Sequence, residues 1–313
     1  MKTIFLNNNH TTINPCAATI GFFDGVHKGH LFLIEKVKEY AQEKAIAAGV
    51  VTFDRHPREV LTDGYQPEML STLDERLERL AMTGIDYCFV VPFNQETAAL
   101  TAHDFMENVL HNQFHVQQLV IGYDHRFGHN RSEKFDDYVR YGKEMGMEVV
   151  GCDAFVMNQI HVSSSAIRRY LSQGNIEQAE QCLGYPYTLS GQVVRGEQKG
   201  RKMGFPTANL DIEGQRKLIP QQGAYAVRVK IEGEDNEQLG MMNIGHRPTF
   251  GNKPTTIEVH ILDFDGNLYG QRLTISFMHY LRNEHQYDSP EHLAEQLRKD
   301  CEEVRKLMNR KLD

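Results

Sequence analysis

The sequence predicts two architectures in series: a doubly wound α/β domain over residues 1–184, then a small antiparallel, Greek-key-like β-barrel with a terminal helix over 185–313. Three observations carry this. Near-continuous apolar runs alternate with helix-period segments through the first half. Two-residue alternation between glycine-containing turns dominates the second. The chain then closes on a segment with one apolar stripe at helical spacing.

The runs CAATIGFF (16–23), AIAAGVVTF (45–53), YCFVVPF (87–93), QQLVIGY (117–123) and MEVVGCD (147–153) read as strands buried on both faces, as in a parallel sheet. Between them, Leu33, Ile34, Val37 and Ala41 form a stripe on a helix opening near Gly29, and 72–82 and 102–110 have the same spacing. In HVSSSAIRRYLSQG (161–174), serines mark a helix start, Ile167, Tyr170 and Leu171 face inward, and Gly174 suits the residue past the end. LGYPY (183–187) reads as a linker. Beyond it, Tyr225, Val227, Val229 and Ile231 share one strand face, as do Ile257, Val259 and Ile261, and Leu273, Ile275 and Phe277. Ser289 as cap and Pro290 as first residue open the closing helix, whose stripe is Leu293, Leu297, Val304, Leu307 and Met308.

Composition narrows the function classes. A length of 313 residues suits two domains. The net charge of -8 argues against a partner recognised by its negative charge alone, so neither nucleic acid nor an anionic membrane is expected. The five cysteines, Cys16, Cys88, Cys152, Cys182 and Cys301, are odd in number and far apart, which points to reduced thiols. MKTIFLNNNHTT has no signal-peptide core and no run is long enough to span a bilayer, so a cytoplasmic location is expected.

The chemistry concentrates in four stretches. TIGFFDGVHKGH (19–30) takes the first strand run through a turn into a helix start, with His27 and His30 three apart. A helix start at the carboxyl end of a parallel strand is a natural phosphate site, Gly25 and Gly29 allow close backbone approach, and two imidazoles add donors. Two surface histidines are the alternative, which the placement between strand and helix disfavours. Ser163, Ser164 and Ser165 with Arg168 one turn on form a second anion cradle, or an ordinary capped helix. GEQKGRKMGFPTANL (196–210) is glycine-rich and basic at Lys199, Arg201 and Lys202, as a flap over phosphates would be. Thr207 and Asn209 share a face if extended and can ligate a hard cation, or they belong to a turn. Glu258, inside the strand TTIEVHIL, is an exposed charge or a base.

The HxGH turn with an SSSxxR helix start resembles the nucleotidylyltransferase superfamily, whose Rossmann-like domain fits the first half. With VTFDRHPREVL, VIGYDHRFGHNR, GRKMGFPTANL, NIGHRPTFG and TIEVHILDFDGNLYGQ in order, nearly the whole chain resembles the bifunctional bacterial riboflavin kinase/FAD synthetase family. That resemblance implies phosphorylation of riboflavin to FMN by the second domain and transfer of AMP from ATP to FMN by the first, giving FAD and pyrophosphate. It implies His27 and His30 on ATP phosphates. Gly21, Phe23, Asp24, Gly25, Asp124, Ser163, Ser164, Ser165 and Arg168 would lie around the nucleotide, and Phe53, His56 and Pro57 near flavin. In the second domain it implies Glu258 as base, Thr207 and Asn209 on Mg2+, and Gly200, Lys202, Gly204, Phe205, Pro206, Asn243, Arg247, Thr249 and Arg282 around nucleotide and flavin.

Riboflavin, FMN and ATP are the partners this implies, and a weak homo-oligomer is compatible with it. The chain departs from the family pattern at Phe22 (usually Asn), Arg55 (usually Pro), His125 (commonly Phe) and Met203 (usually Leu). The first three bear on flavin fit and make a chain with only its kinase live one alternative. A flavin-binding module without catalysis is another, disfavoured by two sets of phosphate-handling residues.

Overall fold

A computed structural model describes residues 1–6, 12–157, 160–196, 198–212, 214, 216–246 and 255–309. The chain divides into two compact units, Met1–Ser164 and Ser165–Asp313.

The first unit holds a six-stranded parallel sheet of β1 (Lys2–Phe5), β2 (Cys16–Ile20), β3 (Ala47–Phe53), β4 (Tyr87–Val91), β5 (Val116–Gly122) and β6 (Glu148–Cys152), in the order β1-β4-β3-β2-β5-β6. Helices α1 (Lys28–Glu43) and α3 (Leu73–Ala81) cover one face, where Ile34, Val37, Ala41 and Leu80 pack on Ala17, Val50, Val90 and Val120. Between them lies the short α2 (Pro57–Leu61). After α4 (Gln95–Ala99), α5 (Ala102–Asp104) runs into a π-helical stretch, Phe105–His111, which covers the other face with α6 (Phe135–Glu144). The expected helix over 102–110 is therefore widened for most of its length, with Phe105, Met106, Val109 and Leu110 all buried. A two-residue hairpin of β7 (Val156–Met157) and β8 (Ile160–His161) leads to the unit's end.

Helices on both faces, with β3 and β5 on either side of β2, make the doubly wound arrangement anticipated from the alternating runs. The chain steps outward from β2 to β3 to β4, then returns across β2 to β5. The strand order thus reverses between β2 and β5, and a crevice opens beyond their carboxyl ends.

In the second unit, β9 (Thr188–Val194), β10 (Ala208–Asp211), β11 (Gly223–Ile231), β12 (Glu237–His246), β13 (Thr255–Ile261) and β14 (Arg272–Arg282) close an antiparallel barrel in the order β10-β13-β12-β11-β14-β9. The alternating stripes expected on β11, β13 and β14 point inward: Tyr225, Val227, Val229, Val259, Ile275 and Phe277 are all fully buried. Helix α10 (Pro290–Asn309) lays Val304 and Met308 on Ala226, Met241 and Met278 of the outer surface. Its Ser289 hydroxyl accepts from the His292 N–H at 3.3 Å, the expected cap.

Helices α7 (Ser164–Ser172) and α8 (Ile176–Leu183) precede the barrel, and α9 (Lys199–Lys202) is one turn inside the β9–β10 connection. The packing division at 164/165 falls before the sequence-derived boundary at 184/185. Helix α8 packs on the barrel through Glu177, whose carboxylate meets His279 Nδ1 at 2.7 Å, and the Gln221 N–H donates to Leu171 O at 3.0 Å.

Candidate functional site

The first candidate site follows from the sheet. β2 ends at Ile20, and residues 21–27 carry the chain into α1, so the FFDGVH turn stands at the strand-order reversal. The turn is strained: Phe23 (φ +55°), Gly25 (φ +77°) and Val26 (φ +37°) are all left-handed, and for β-branched Val26 that is an outlier. Internal bonds hold it. Asp24, 2% exposed, accepts from the Leu70 and Ser71 N–H groups and the Ser71 hydroxyl at 3.0–3.1 Å. The Gly25 N–H donates to Ser71 Oγ at 2.9 Å, and Ser164 Oγ donates to Asp24 O at 3.0 Å. Asp24 therefore shapes the turn. Gly21 is fixed by space, since a Cβ there would sit 3.0 Å from the Phe23 ring.

His27 caps α1, its Nδ1 accepting from the His30 N–H at 3.3 Å. A neutral His27 must then carry its proton on Nε2. The two rings stack with centroids 3.6 Å apart and planes 16° apart, and Phe23 meets His30 edge-on. Burial holds His30 well below the ordinary imidazole range, with His27, Arg76 and His125 opposing its protonation further. His30 therefore enters the chemistry as a neutral hydrogen-bonding group.

The other expected residues distribute unevenly. Asp124 is exposed in the turn after β5, the second strand of the crevice. Ser163 and Ser164 follow β8, Ser164 joined to the FDG turn as described; Ser165 and Arg168 belong to the second unit. Phe53 is a core residue, 7% exposed and edge-on to Phe93. His56 caps α2 with Pro57 in its first turn, and its ring stands 5.0 Å from Phe22.

Arg76 was not anticipated. It is 2% exposed, donates to Phe22 O at 2.7 Å and Phe53 O at 2.6 Å, and lies 4.2 Å over the Phe22 ring. It ties the ends of β2 and β3 together and places a cation under the crevice, and burial lowers it to about 10. The sequence did hold a signal: Arg76 sits four residues before buried Leu80, on the apolar stripe of α3.

In the barrel, register builds the second site. Glu258 on β13 pairs with Asn209 on β10 and with Asn243 on β12, so the three side chains form one row across three strands, on the face opposite buried Val259. Thr207 Oγ1 donates to Glu258 Oε2 at 3.0 Å. A hydroxyl, an amide and a carboxylate converge there, all hard oxygen-bearing ligands. Gly196 packs against this group; a Cβ there would lie 2.2 Å from Asn209 Nδ2.

A cleft of about 560 Å³ adjoins it, lined by Gln198, Arg201, Pro206 and Thr207 on one side and by Phe264, Asn267 and Tyr269 on the other. That volume suits a nucleotide-sized ligand. The flap is shaped by the Phe205 N–H bonding Gly200 O at 2.9 Å, by left-handed Gly204 and by Pro206 O on His260 Nδ1 at 2.8 Å. The 264–269 loop had no expected role, although DFDGNLYGQ was among the motifs.

Arg282 is engaged elsewhere: its guanidinium grips Asp300 of α10 at 2.7–3.1 Å. Arg247, Thr249 and the side chain of Lys202 lie outside the described residues. None of the five cysteines is disulfide-bonded. Among the described residues no helix is long and apolar enough to cross a membrane, and no group of three or more His, Cys, Asp or Glu forms a metal site.

Comparison with known proteins agrees with both halves. The family model for FAD synthetase matches residues 9–166, and that for riboflavin kinase matches 183–308. A bifunctional riboflavin kinase/FMN adenylyltransferase of Listeria monocytogenes is 38% identical over 312 residues, covering 97% of this chain and 98% of its own length. One from Escherichia coli is 36% identical over 285 residues, covering 91% and 90%. The crystal structure of a macrolide-efflux protein from Streptococcus pneumoniae superimposes with a TM-score of 0.87 at 28% identity, over 97% of this chain and 98% of that one.

Proposed function

The chain belongs to the bifunctional riboflavin kinase/FMN adenylyltransferase family, and from that premise we propose a division of labour between its two sites. The crevice beyond β2 and β5 transfers AMP to FMN; the Thr207–Asn209–Glu258 row and its cleft phosphorylate riboflavin. The observation that carries this is the pairing of a phosphate-type site with each family segment: stacked His27 and His30 in one, and Glu258 bonded to Thr207 in the other. A boundary near residue 184 is part of this reading; the matched segments end at 166 and resume at 183.

In the crevice, an FMN phosphate oxygen attacks the α-phosphorus of ATP and pyrophosphate leaves. Substrate supplies the nucleophile, so the protein's work is positioning and charge stabilisation. His27 offers Nε2–H to the phosphates, and His30, held neutral, stacks against it and steadies it. The strained FDGV turn brings backbone close to the triphosphate, and Asp124, Ser163 and Ser164 line the approach. His56 and Phe22 offer ring edges to the flavin.

In the barrel, Glu258 accepts the proton of the ribityl hydroxyl as it attacks the γ-phosphorus. Its bond from Thr207 fixes the carboxylate. The donor set fits Mg2+, which would be held by Thr207 and Asn209 and would supply neutralisation of ATP phosphate charge. The flap from Gly200 to Pro206 covers the phosphates, with Arg201 facing the cleft. A cytoplasmic location suits ATP-dependent chemistry and five reduced thiols.

The test is a time course of purified protein with riboflavin, ATP and Mg2+, the flavins being separated by chromatography. FMN appearing first and FAD following is the expected result. FMN alone would overturn the crevice assignment, and unchanged riboflavin with folded protein would overturn the barrel assignment.

A further inference from the structure

Two buried nitrogens at the crevice have no use in the account so far. His30 Nδ1 and His125 Nε2 are both shielded from solvent and without a protein partner among the described residues. A buried imidazole nitrogen left unmet is costly, and such atoms in a functional crevice point to a missing guest. His125 stands in the turn after β5, on the opposite side of the strand-order reversal from His27 and His30. Its backbone N–H donates to Gly122 O at 3.0 Å and its ring lies against Phe127 with planes 28° apart, so it is held in place. Its ring opposes protonation of His30, as Arg76 does. His27, His125 and Arg76 all oppose protonation of His30, while the carboxylates beside this group are taken up or exposed: Asp24 accepts from residues 70 and 71, and Asp124 is exposed in the turn. The guest of such a cluster is an anion rich in acceptors.

We propose that His125 is a second phosphate-contacting imidazole of the crevice beside His27, offering Nε2–H to an oxygen of the triphosphate end that leaves as pyrophosphate. The assignment rests on the adenylyl-transfer reading of the first unit. Burial and Arg131 lower His125 to about 4, against a smaller opposing effect of Asp124, so the ring is neutral at pH 7 and keeps one N–H to give. It stabilises charge on the leaving group as a fixed dipole and transfers no proton.

The test compares His125→Phe, which keeps a flat ring against Phe127 and removes both nitrogens, with His125→Gln, which keeps a donor. Two quantities are read on the full chain: affinity for inorganic pyrophosphate by titration calorimetry, and kcat/KM for ATP in FAD formation from FMN. Riboflavin phosphorylation by the same preparations reports that the chain is folded. Loss of one hydrogen bond to a charged group predicts a fall of roughly 10- to 100-fold in both quantities for His125→Phe, with partial recovery in His125→Gln. Values for His125→Phe within about twofold of the parent in both would overturn the proposal and leave a buried water as the nitrogen's partner. An equal fall in both variants would also overturn it, since a merely structural role does not distinguish a donor from a ring. A parent chain that makes no FAD from FMN would fail the reading of the crevice itself, a separate outcome.

Discussion

Arg76 makes the proposed adenylyl-transfer crevice depend on a side chain bonded to the protein's own backbone. A guanidinium this buried answers two carbonyls, Phe22 O and Phe53 O, at the ends of neighbouring strands, and its charge helps keep His30 neutral. Arg76→Met keeps most of the bulk and leaves both carbonyls unmet. Part of the loss is offset because a buried cation is no longer desolvated. The expected net cost is about 2 kcal/mol in denaturant unfolding of the first unit, with FAD formation reduced and FMN formation unchanged. Asp24 teaches a related lesson. A carboxylate beside an HxGH turn invites a substrate-binding reading, yet its oxygens are taken up by residues 70 and 71, nearly fifty positions away. Sequence spacing carries no trace of such a partner.

At the scale of elements, the proposed kinase site is a product of strand register. Asn209, Glu258 and Asn243 meet only because β10, β13 and β12 pair as they do. The alternation of TTIEVHIL places Glu258 opposite Ile257 and Val259 in face, but register between distant strands is a tertiary property, so the row could not be read beforehand. The β9–β10 connection adds a backbone constraint at Gly196, whose missing side chain makes room for the Asn209 amide. Gly196→Ala forces that amide to move. The expected outcome is a drop in riboflavin phosphorylation on the order of 10-fold or more with FAD formation from FMN intact, since small misplacements in a phosphoryl-transfer site are expensive. Steady-state assays of the two half-reactions check it. Strands β2 to β5 were legible because burial on both faces leaves long apolar runs; β6, at the other sheet edge, was legible from its apolar run although Glu148 and Gly151 are exposed. β1 was not, because only Ile4 of its four residues is buried at the sheet edge. The switch of 105–111 to π-helical winding was equally hidden, because the apolar positions alone do not distinguish the two windings.

For the whole molecule, the buried imidazoles set a pH limit on the first unit. His125 has its folded pKa lowered from 6.5 to about 4, and His30 is lowered as well. Above pH 6.5 neither the folded nor the unfolded chain binds these protons, and the stability is fully present. As pH falls from 6.5 toward 4, only the unfolded chain takes them up, so folding is progressively disfavoured. Thermal melts should show the melting temperature falling across that window, and falling less in His125→Phe.

The central claim is that two separate sites, one in each unit, act in sequence on a shared flavin. A complementation assay tests it most directly. His27→Ala, lacking a crevice imidazole, and Glu258→Gln, lacking the barrel's base, are each supplied with riboflavin, ATP and Mg2+, then mixed. Either loss should slow its own step on the order of 100-fold or more. His27→Ala alone should stop at FMN, Glu258→Gln alone should leave riboflavin unchanged, and the mixture should make FAD. Rapid FAD formation by either variant alone, or a mixture that accumulates FMN without FAD, would contradict the account.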